Sequence, residues 1–233
     1  MAFEVRGAVS GDVVGGRADQ ASATSAFMTR VYAWMMAGIA ITAVTAFVVV
    51  TTPALLQVVL PLYLPLIIAE LVLVIAFSFL SQKVSAPVAA MMFLGYAFLS
   101  GLTFSVIGLR YTGASIAGVF ATTSLMYGGM TVFGAVTKKD LSPWRTFLVM
   151  GIWGIFIASI VNLFLGSGLL NFVLGCAGVL VFAGLTAYDN QKLREMHRAF
   201  GDRGNLAING ALMLYLDFIN LFISLLRLFG SRR

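Results

Sequence analysis

Apolar residues run through most of this chain in blocks of about twenty, separated by short polar clusters. Seven blocks stand out, at about 31 to 52, 58 to 80, 88 to 109, 113 to 135, 146 to 165, 169 to 189 and 206 to 229. A helix needs roughly 20 apolar residues to cross ~30 Å of hydrocarbon, so each block predicts one transmembrane helix. Together they predict an all-α integral membrane protein, a bundle of seven helices. Residues 1–29 read differently, because Gly7, Gly11, Gly15 and Gly16 alternate there with small and charged residues. Such a segment cannot build an apolar core, and a disordered cytoplasmic tail is expected, leaving 30–233 as a single transmembrane domain. No apolar stretch precedes Val31, which argues against a signal peptide.

Composition supports the bilayer and charge orients the chain within it. The sequence is 60% hydrophobic and 10% charged over 233 residues, against roughly 25% charged for a soluble domain. With the N-terminus in the cytoplasm, the inner segments hold Arg6, Arg17, Arg30, Lys83, Lys138, Lys139, Arg145, Lys192, Arg194, Arg198 and Arg203, and the outer ones Arg110, Arg227, Arg232 and Arg233. This split of 11 to 4 favours the N-terminus inside. Three of the four outer charges lie at the C-terminus, and a last segment that re-entered without crossing would make the split 14 to 1, so the side of the C-terminus stays open at this point. The net charge of +6 follows from basic loops facing anionic lipid, and the expected partner is the bilayer, not nucleic acid.

Several chemistries lack the residues they need. Cys176 is the single cysteine and His197 the single histidine, which leaves no disulfide within the chain and no histidine-based zinc site in the membrane. Phosphate loops and dinucleotide fingerprints are also missing, and no cofactor is expected. Glycine is abundant for another reason: small residues four apart, such as Ala97, Gly101 and Ser105 or Gly154 and Ala158, let helix backbones approach closely. Asn162 and Asn220 are expected to bond between helices, and Asn220, one turn from Asp217, is placed to orient that carboxylate.

The candidate site is a pair of carboxylates. Asp189 and Asp217 lie in apolar blocks, where an aspartate costs about 2.5 to 3.5 kcal/mol at the centre of a membrane helix. They flank the turn-like Gly201-Asp202-Arg203-Gly204 symmetrically, so an antiparallel hairpin would bring them to the same height. The last segment carries eight Leu, three Ile and three Phe between Leu206 and Phe229. At about 0.3 to 0.6 kcal/mol each these only just offset Asp217, Asn209 and Asn220, so that helix is expected at the centre of the bundle. Two carboxylates ~4 Å apart repel by about 4 kcal/mol at an effective dielectric of 20, so they would share one proton. Calcium could replace that proton. It wants six to eight oxygens and two aspartates offer at most four, so its binding would be weak, as suits a conduction or gating site. Glu70 is a third intramembrane carboxylate, and Lys83 stands about 20 Å away at the end of the same segment.

Leu185-Thr186-Ala187-Tyr188-Asp189-Asn190-Gln191 and Leu214-Tyr215-Leu216-Asp217-Phe218-Ile219-Asn220-Leu221-Phe222 resemble the two signature segments of the bacterial branch of the Bax inhibitor-1 family. Gly101-Leu102-Thr103 is similar to that family's pattern as well, and the likeness covers roughly residues 28 to 230. The resemblance implies a seven-helix bundle with a central last helix, acting as a pH-sensitive calcium leak channel of the inner membrane. It implies no enzymatic activity. It assigns pH sensing and ion binding to Asp189 and Asp217 and makes Lys83 the nearest candidate for a latch; Glu70, Tyr188 and Asn220 join Lys83 as supporting or gating candidates from their own positions in the chain. Calcium ions, protons and regulatory membrane proteins are the partners it suggests. Two alternatives use the same carboxylates. One is a proton-coupled small-solute transporter. The other is an intramembrane aspartyl protease, for which Tyr188-Asp189 fits but Tyr215-Leu216-Asp217 stands where Gly-x-Gly-Asp is required.

Overall fold

The computed structural model describes residues 4–81, 83–202 and 205–232, with side chains from Asp19 onward. Its helices are α1 (Glu4–Thr51), α2 (Pro53–Val59), α3 (Tyr63–Leu80), α4 (Ala86–Arg110), α5 (Gly113–Val136), α6 (Trp144–Leu165), α7 (Gly168–Phe200) and α8 (Leu206–Phe229). Among the described residues seven spans are long and apolar enough to cross a membrane, with α2 and α3 forming one of them through a 3-10 turn at Leu60–Leu62. Pro61 sits in that turn and has no N–H to continue the α-helical ladder. The fold is an all-α membrane bundle.

Two boundaries differ from the sequence expectation. The tail expected to be disordered is helical from Glu4 and continuous with the first span. Within it Thr24, Phe27 and Met28 are buried and extend the stripe of Val31 and Met35 at three- and four-residue spacing. A single buried stripe on an otherwise polar helix is too weak a signal to register as an apolar block. At the other boundary α7 does not stop at 189 but continues to Phe200, where Gly201 at φ +68° ends it. Lys192, Arg194, Glu195 and Arg198 end the apolar block but are good helix formers, so the membrane span stops and the helix does not. His197, expected in a loop, is therefore on the buried face of α7. It stacks on Phe27 with ring centroids 4.5 Å apart, and its Nδ1 lies 3.3 Å from Thr24 Oγ1.

α8 is the core. It packs against α1, α4, α5 and α7, and 56% of its most apolar window is buried, against 6% in the α2–α3 span and in α6. The seventh span is central as expected, although four spans rather than six surround it. The α2–α3 span leans on α4, and α6 on α7. Close crossings occur where small residues permit them. A Cβ at Gly101 would lie 2.9 Å from Thr42 O of α1, with Ala97 and Ser105 fully buried on the same face. Gly154 does not fit that pattern: a Cβ there would meet nothing within 4 Å, so it marks no helix crossing.

Both ends are tied by polar contacts. At the basic end Arg30 pairs with Asp202, Asn205 Nδ2 donates to Ser81 O and to Val84 O at 2.8 Å, and Gln191 joins Leu141 N and Lys139 O, each at 2.9 Å. At the far end Tyr111 pairs with Arg232, Thr112 N donates to Ser231 O at 3.1 Å, and Ser231 N to Ser115 Oγ at 2.9 Å. α8 thus crosses the whole bundle, which rules out the re-entrant alternative for the last segment. Gly101→Val should force α1 and α4 apart and destabilise the bundle by about 1–3 kcal/mol. Thermal unfolding in detergent tests this, and a melting temperature equal to the wild type would contradict the tight crossing.

Candidate functional site

Asp189 and Asp217 each stand eleven residues from the helix end that faces the connecting turn (200 − 189 and 217 − 206), about 16 Å along the axis. Both are buried, at 8% and 5% exposure. Helix α7 places Asp189 on the face it turns to the core, in a run from Leu185 to Asn190 that is buried throughout. The charge of Asp189 acts on Asp217, and both act on Tyr127 of α5. Asp217 Oδ2 is buried with no hydrogen-bond partner among the described residues. No hydrogen bond joins the two carboxylates.

The hairpin register explains why. Gly178 faces Ser224 and Gly210 faces Leu193 across the α7/α8 contact. In that register Asp189 lies opposite Leu214, with Asp217 about one turn further from the connection, an axial offset of roughly 5 Å. Counting from the turn suggested equal heights, but the two helices are not paired symmetrically about it.

A polar network surrounds the pair. Asn190 is fully buried, its Oδ1 accepting from the Tyr32 hydroxyl of α1 and its Nδ2 donating to Thr186 O at 2.7 Å and Thr131 Oγ1 of α5 at 3.4 Å. The Tyr127 hydroxyl donates to Leu214 O at 3.2 Å and lies 3.4 Å from Met35 Sδ. Arg194 stands beside Tyr32, and its Nε is buried without a partner among the described residues. Lys192, one turn beyond Asp189, acts on that carboxylate and holds its amine 5.6 Å over the Tyr188 ring. Sequence reasoning missed Tyr32, Tyr127, Thr131, Asn190, Lys192 and Arg194. Asn190 carried a signal, since it follows Asp189 in the same apolar-to-polar run. The tyrosines carried none, because a tyrosine in an apolar block is most often packing.

The supporting candidates divide. Tyr188 is buried beside Asp189, where Arg145 of the α6 side also acts on it. Glu70 is half-buried and accepts from Thr103 Oγ1 at 2.7 Å. It acts on Tyr96 and Tyr215, and the Tyr215 hydroxyl lies 2.7 Å from Thr42 Oγ1, so Glu70 belongs to a second polar cluster between α3, α4, α1 and α8. Lys83 is exposed in the α3–α4 connection and forms no ion pair among the described residues, so the structure does not bring it to the aspartates. Asn220 donates to Leu216 O at 2.8 Å, one turn back in its own helix, and does not orient Asp217. Asn162 likewise accepts from Ser167 N at 3.0 Å at the end of α6 instead of bonding between helices.

Asp189 and Asp217 line neither of two openings in the bundle. A cleft of about 290 Å³ between α1 and α5 has Tyr32, Tyr127 and Thr131 in its wall and Phe218 of α8 at its floor. A cavity of about 560 Å³ at the far end is lined by Thr112, Ser115, Thr122 and Ser231 together with Leu225 and Phe229. On α5 and α8 the rings of Phe120, Phe218 and Phe222 pack together, with Phe120 5.5 Å from Phe218 and 6.3 Å from Phe222, and Tyr127 5.4 Å from Phe218. No group of three or more Asp, Glu, His or Cys residues gathers as a closed metal cage among the described residues.

The model of the family described as "Inhibitor of apoptosis-promoting Bax1" matches residues 24–233. "Inner membrane protein YbhL" of Escherichia coli (strain K12) is 46% identical over 215 residues, covering 89% of this chain and 92% of that protein. An uncharacterized protein of Deinococcus radiodurans is 45% identical over 209 residues, covering 88% and 90%. One of Borreliella burgdorferi is 38% identical over 214 residues, covering 89% and 92%.

Asp217 spends stability on a buried, unpartnered acceptor. Asp217→Leu removes the unpartnered polar atoms at similar volume and should raise stability by about 1–3 kcal/mol, several degrees of melting temperature in detergent. A lower melting temperature would make the carboxylate a structural ligand instead.

Proposed function

This chain belongs to the Bax inhibitor-1 family, and on that premise we propose that it is a pH-sensitive calcium leak channel of the inner membrane, gated by Asp189 and Asp217. The observation that carries the reading is the burial of both carboxylates at the α7/α8 contact, within reach of each other's charge and with one oxygen unpartnered. Nothing in packing requires an ionisable group there, and such groups inside a membrane bundle mark ion or proton pathways.

Two buried carboxylates cannot both ionise without strong repulsion. One proton on the pair relieves that repulsion, and a calcium ion exchanging for it neutralises both charges. Two aspartates leave the calcium shell incomplete, so water or backbone carbonyls fill it and the ion leaves readily. Calcium is the permeating ion here and no resident cofactor or catalytic step is needed. Neither aspartate lines the far-end cavity in this conformation, so conduction requires the bundle to rearrange. The far end also carries Arg110, Arg227 and Arg232 and no carboxylate in its loops. It does not concentrate cations, which favours a slow leak over a high-conductance pore. The basic end faces the cytoplasm with the N-terminus inside, and the name of the Escherichia coli relative supports the inner membrane as the location.

Purified protein in calcium-free liposomes should pass calcium without an energy source, at a rate that changes steeply over the pH range in which the pair titrates. Asp189→Asn and Asp217→Asn should each flatten that dependence. If both variants keep the wild-type profile, the pair is not the sensor. If the wild type cleaves membrane peptides and passes no calcium, the protease alternative takes its place.

A further inference from the structure

Three spans meet at Asn190, one residue past Asp189. Its amide is bonded at both ends: to Tyr32 of α1 through Oδ1, and through Nδ2 to Thr131 of α5 and to the Thr186 carbonyl of α7. A fully buried amide with its groups engaged fixes a single arrangement of the helices that hold its partners, because breaking one bond strands a polar atom in a low-dielectric interior. Between α1 and α5 this bridge adds to the direct contact of the Tyr127 hydroxyl with Met35 Sδ. Tyr32 and Thr131 stand in the wall of the 290 Å³ cleft. So does Tyr127, on which the charges of both carboxylates act.

We propose that Asn190 is a positioning residue: it straps Tyr32 of α1 and Thr131 of α5 to the turn of α7 that carries Asp189, and its release opens the α1/α5 cleft onto the carboxylate pair. Arg194 follows Asn190 by one turn and stands beside Tyr32, so release of the strap also frees a guanidinium whose Nε has no partner among the described residues. The strap therefore couples the first span to the site without touching either carboxylate. The charged and titratable groups facing the pair come from every helix packed on α7. They are Asp217 from α8, Tyr127 from α5, Tyr32 from α1, and Arg145 from α6 acting with Asp140 and Glu195 on Tyr188. Lys192 and Arg194 come from α7 itself. The proposal deepens the leak-channel reading, on which its transport arm rests.

Infrared titration of the buried carboxyls in bilayers tests it, in a Glu70→Gln background that leaves the two aspartates as the remaining intramembrane carboxyls. Asn190→Leu and Tyr32→Phe should each move the titration midpoint by about half a pH unit or more. The double variant should move it no further than the larger single, because one strap is removed once. Calcium flux should rise in both variants at the pH where the wild type is slowest, and Asn190→Gln, which keeps the amide, should recover part of the wild-type profile. Variants that melt earlier yet titrate as the wild type does would reduce Asn190 to a structural bond and overturn the proposal. Shifts that add in the double variant would overturn it as well. If the wild type passes no calcium the leak-channel reading falls, and the infrared titration still decides the strap.

Discussion

A carboxylate on a helix that crosses a bilayer must be kept from hydrocarbon, and the arrangement of this bundle follows from meeting that requirement for Asp217. Facing lipid, the aspartate would cost about 2.5 to 3.5 kcal/mol on a helix whose apolar residues only just offset it. Surrounded by α1, α4, α5 and α7, the same helix faces lipid on little of its surface. The neighbours can come this close because their contact faces carry small residues: Gly101 at α1/α4, Gly134 against the Ala187 backbone at α5/α7, and Gly178 against Ser224 at α7/α8. The apolar α2–α3 span and α6 then serve as the lipid-facing flanks, with only 6% of their windows buried.

Enclosing α8 solves the lipid problem and leaves the carboxylates buried among the helices, where polar partners determine what they can do. The site is therefore more than two residues. Tyr127 reaches α8 through Leu214 O, Asn190 ties α1 and α5 to α7, and Lys192 acts on Asp189 from one turn away. Outside the membrane the long α7 continues this bracing. Its last turns carry His197 onto Phe27 and Gln191 onto the α5–α6 connection, while Asn205 caps the α3–α4 connection. Helix α1 therefore touches α7 both beside Asp189, through Tyr32 and Asn190, and near its end, through Phe27 and His197. Glu70 sits apart, held by Thr103, in a cluster that reaches α8 through Tyr215.

The fold was largely readable in the sequence because crossing a bilayer imposes a length and a composition that few other constraints imitate. The seven spans, the central last helix and the two aspartates all followed from hydropathy and the cost of charge. What hydropathy could not supply was anything set by side-chain direction or helix register. Asn220 has the spacing to serve Asp217, yet it turns back to Leu216. The symmetry of Asp189 and Asp217 about their turn predicted equal heights, yet Gly178 and Gly210 set a register that offsets them by about a turn. Residues 19 to 29 and 190 to 200 were assigned to tail and loop because polar residues end an apolar block without ending a helix. Lys83 shows the limit of resemblance: the family likeness alone suggested it as a latch, and it is exposed in the connection after the second span.

All of this rests on Asp189 and Asp217 forming one site. The most direct test is the distance between their side-chain carboxyl carbons, measured by carbon–carbon recoupling in solid-state NMR on aspartate-labelled protein in lipid bilayers, with Asp189→Asn and Asp217→Asn samples to assign the signals. A shared site predicts a cross-peak corresponding to about 4–6 Å, the range over which two such groups govern each other's ionisation. Two carboxyls more than about 8 Å apart, each titrating as though the other were absent, would contradict it.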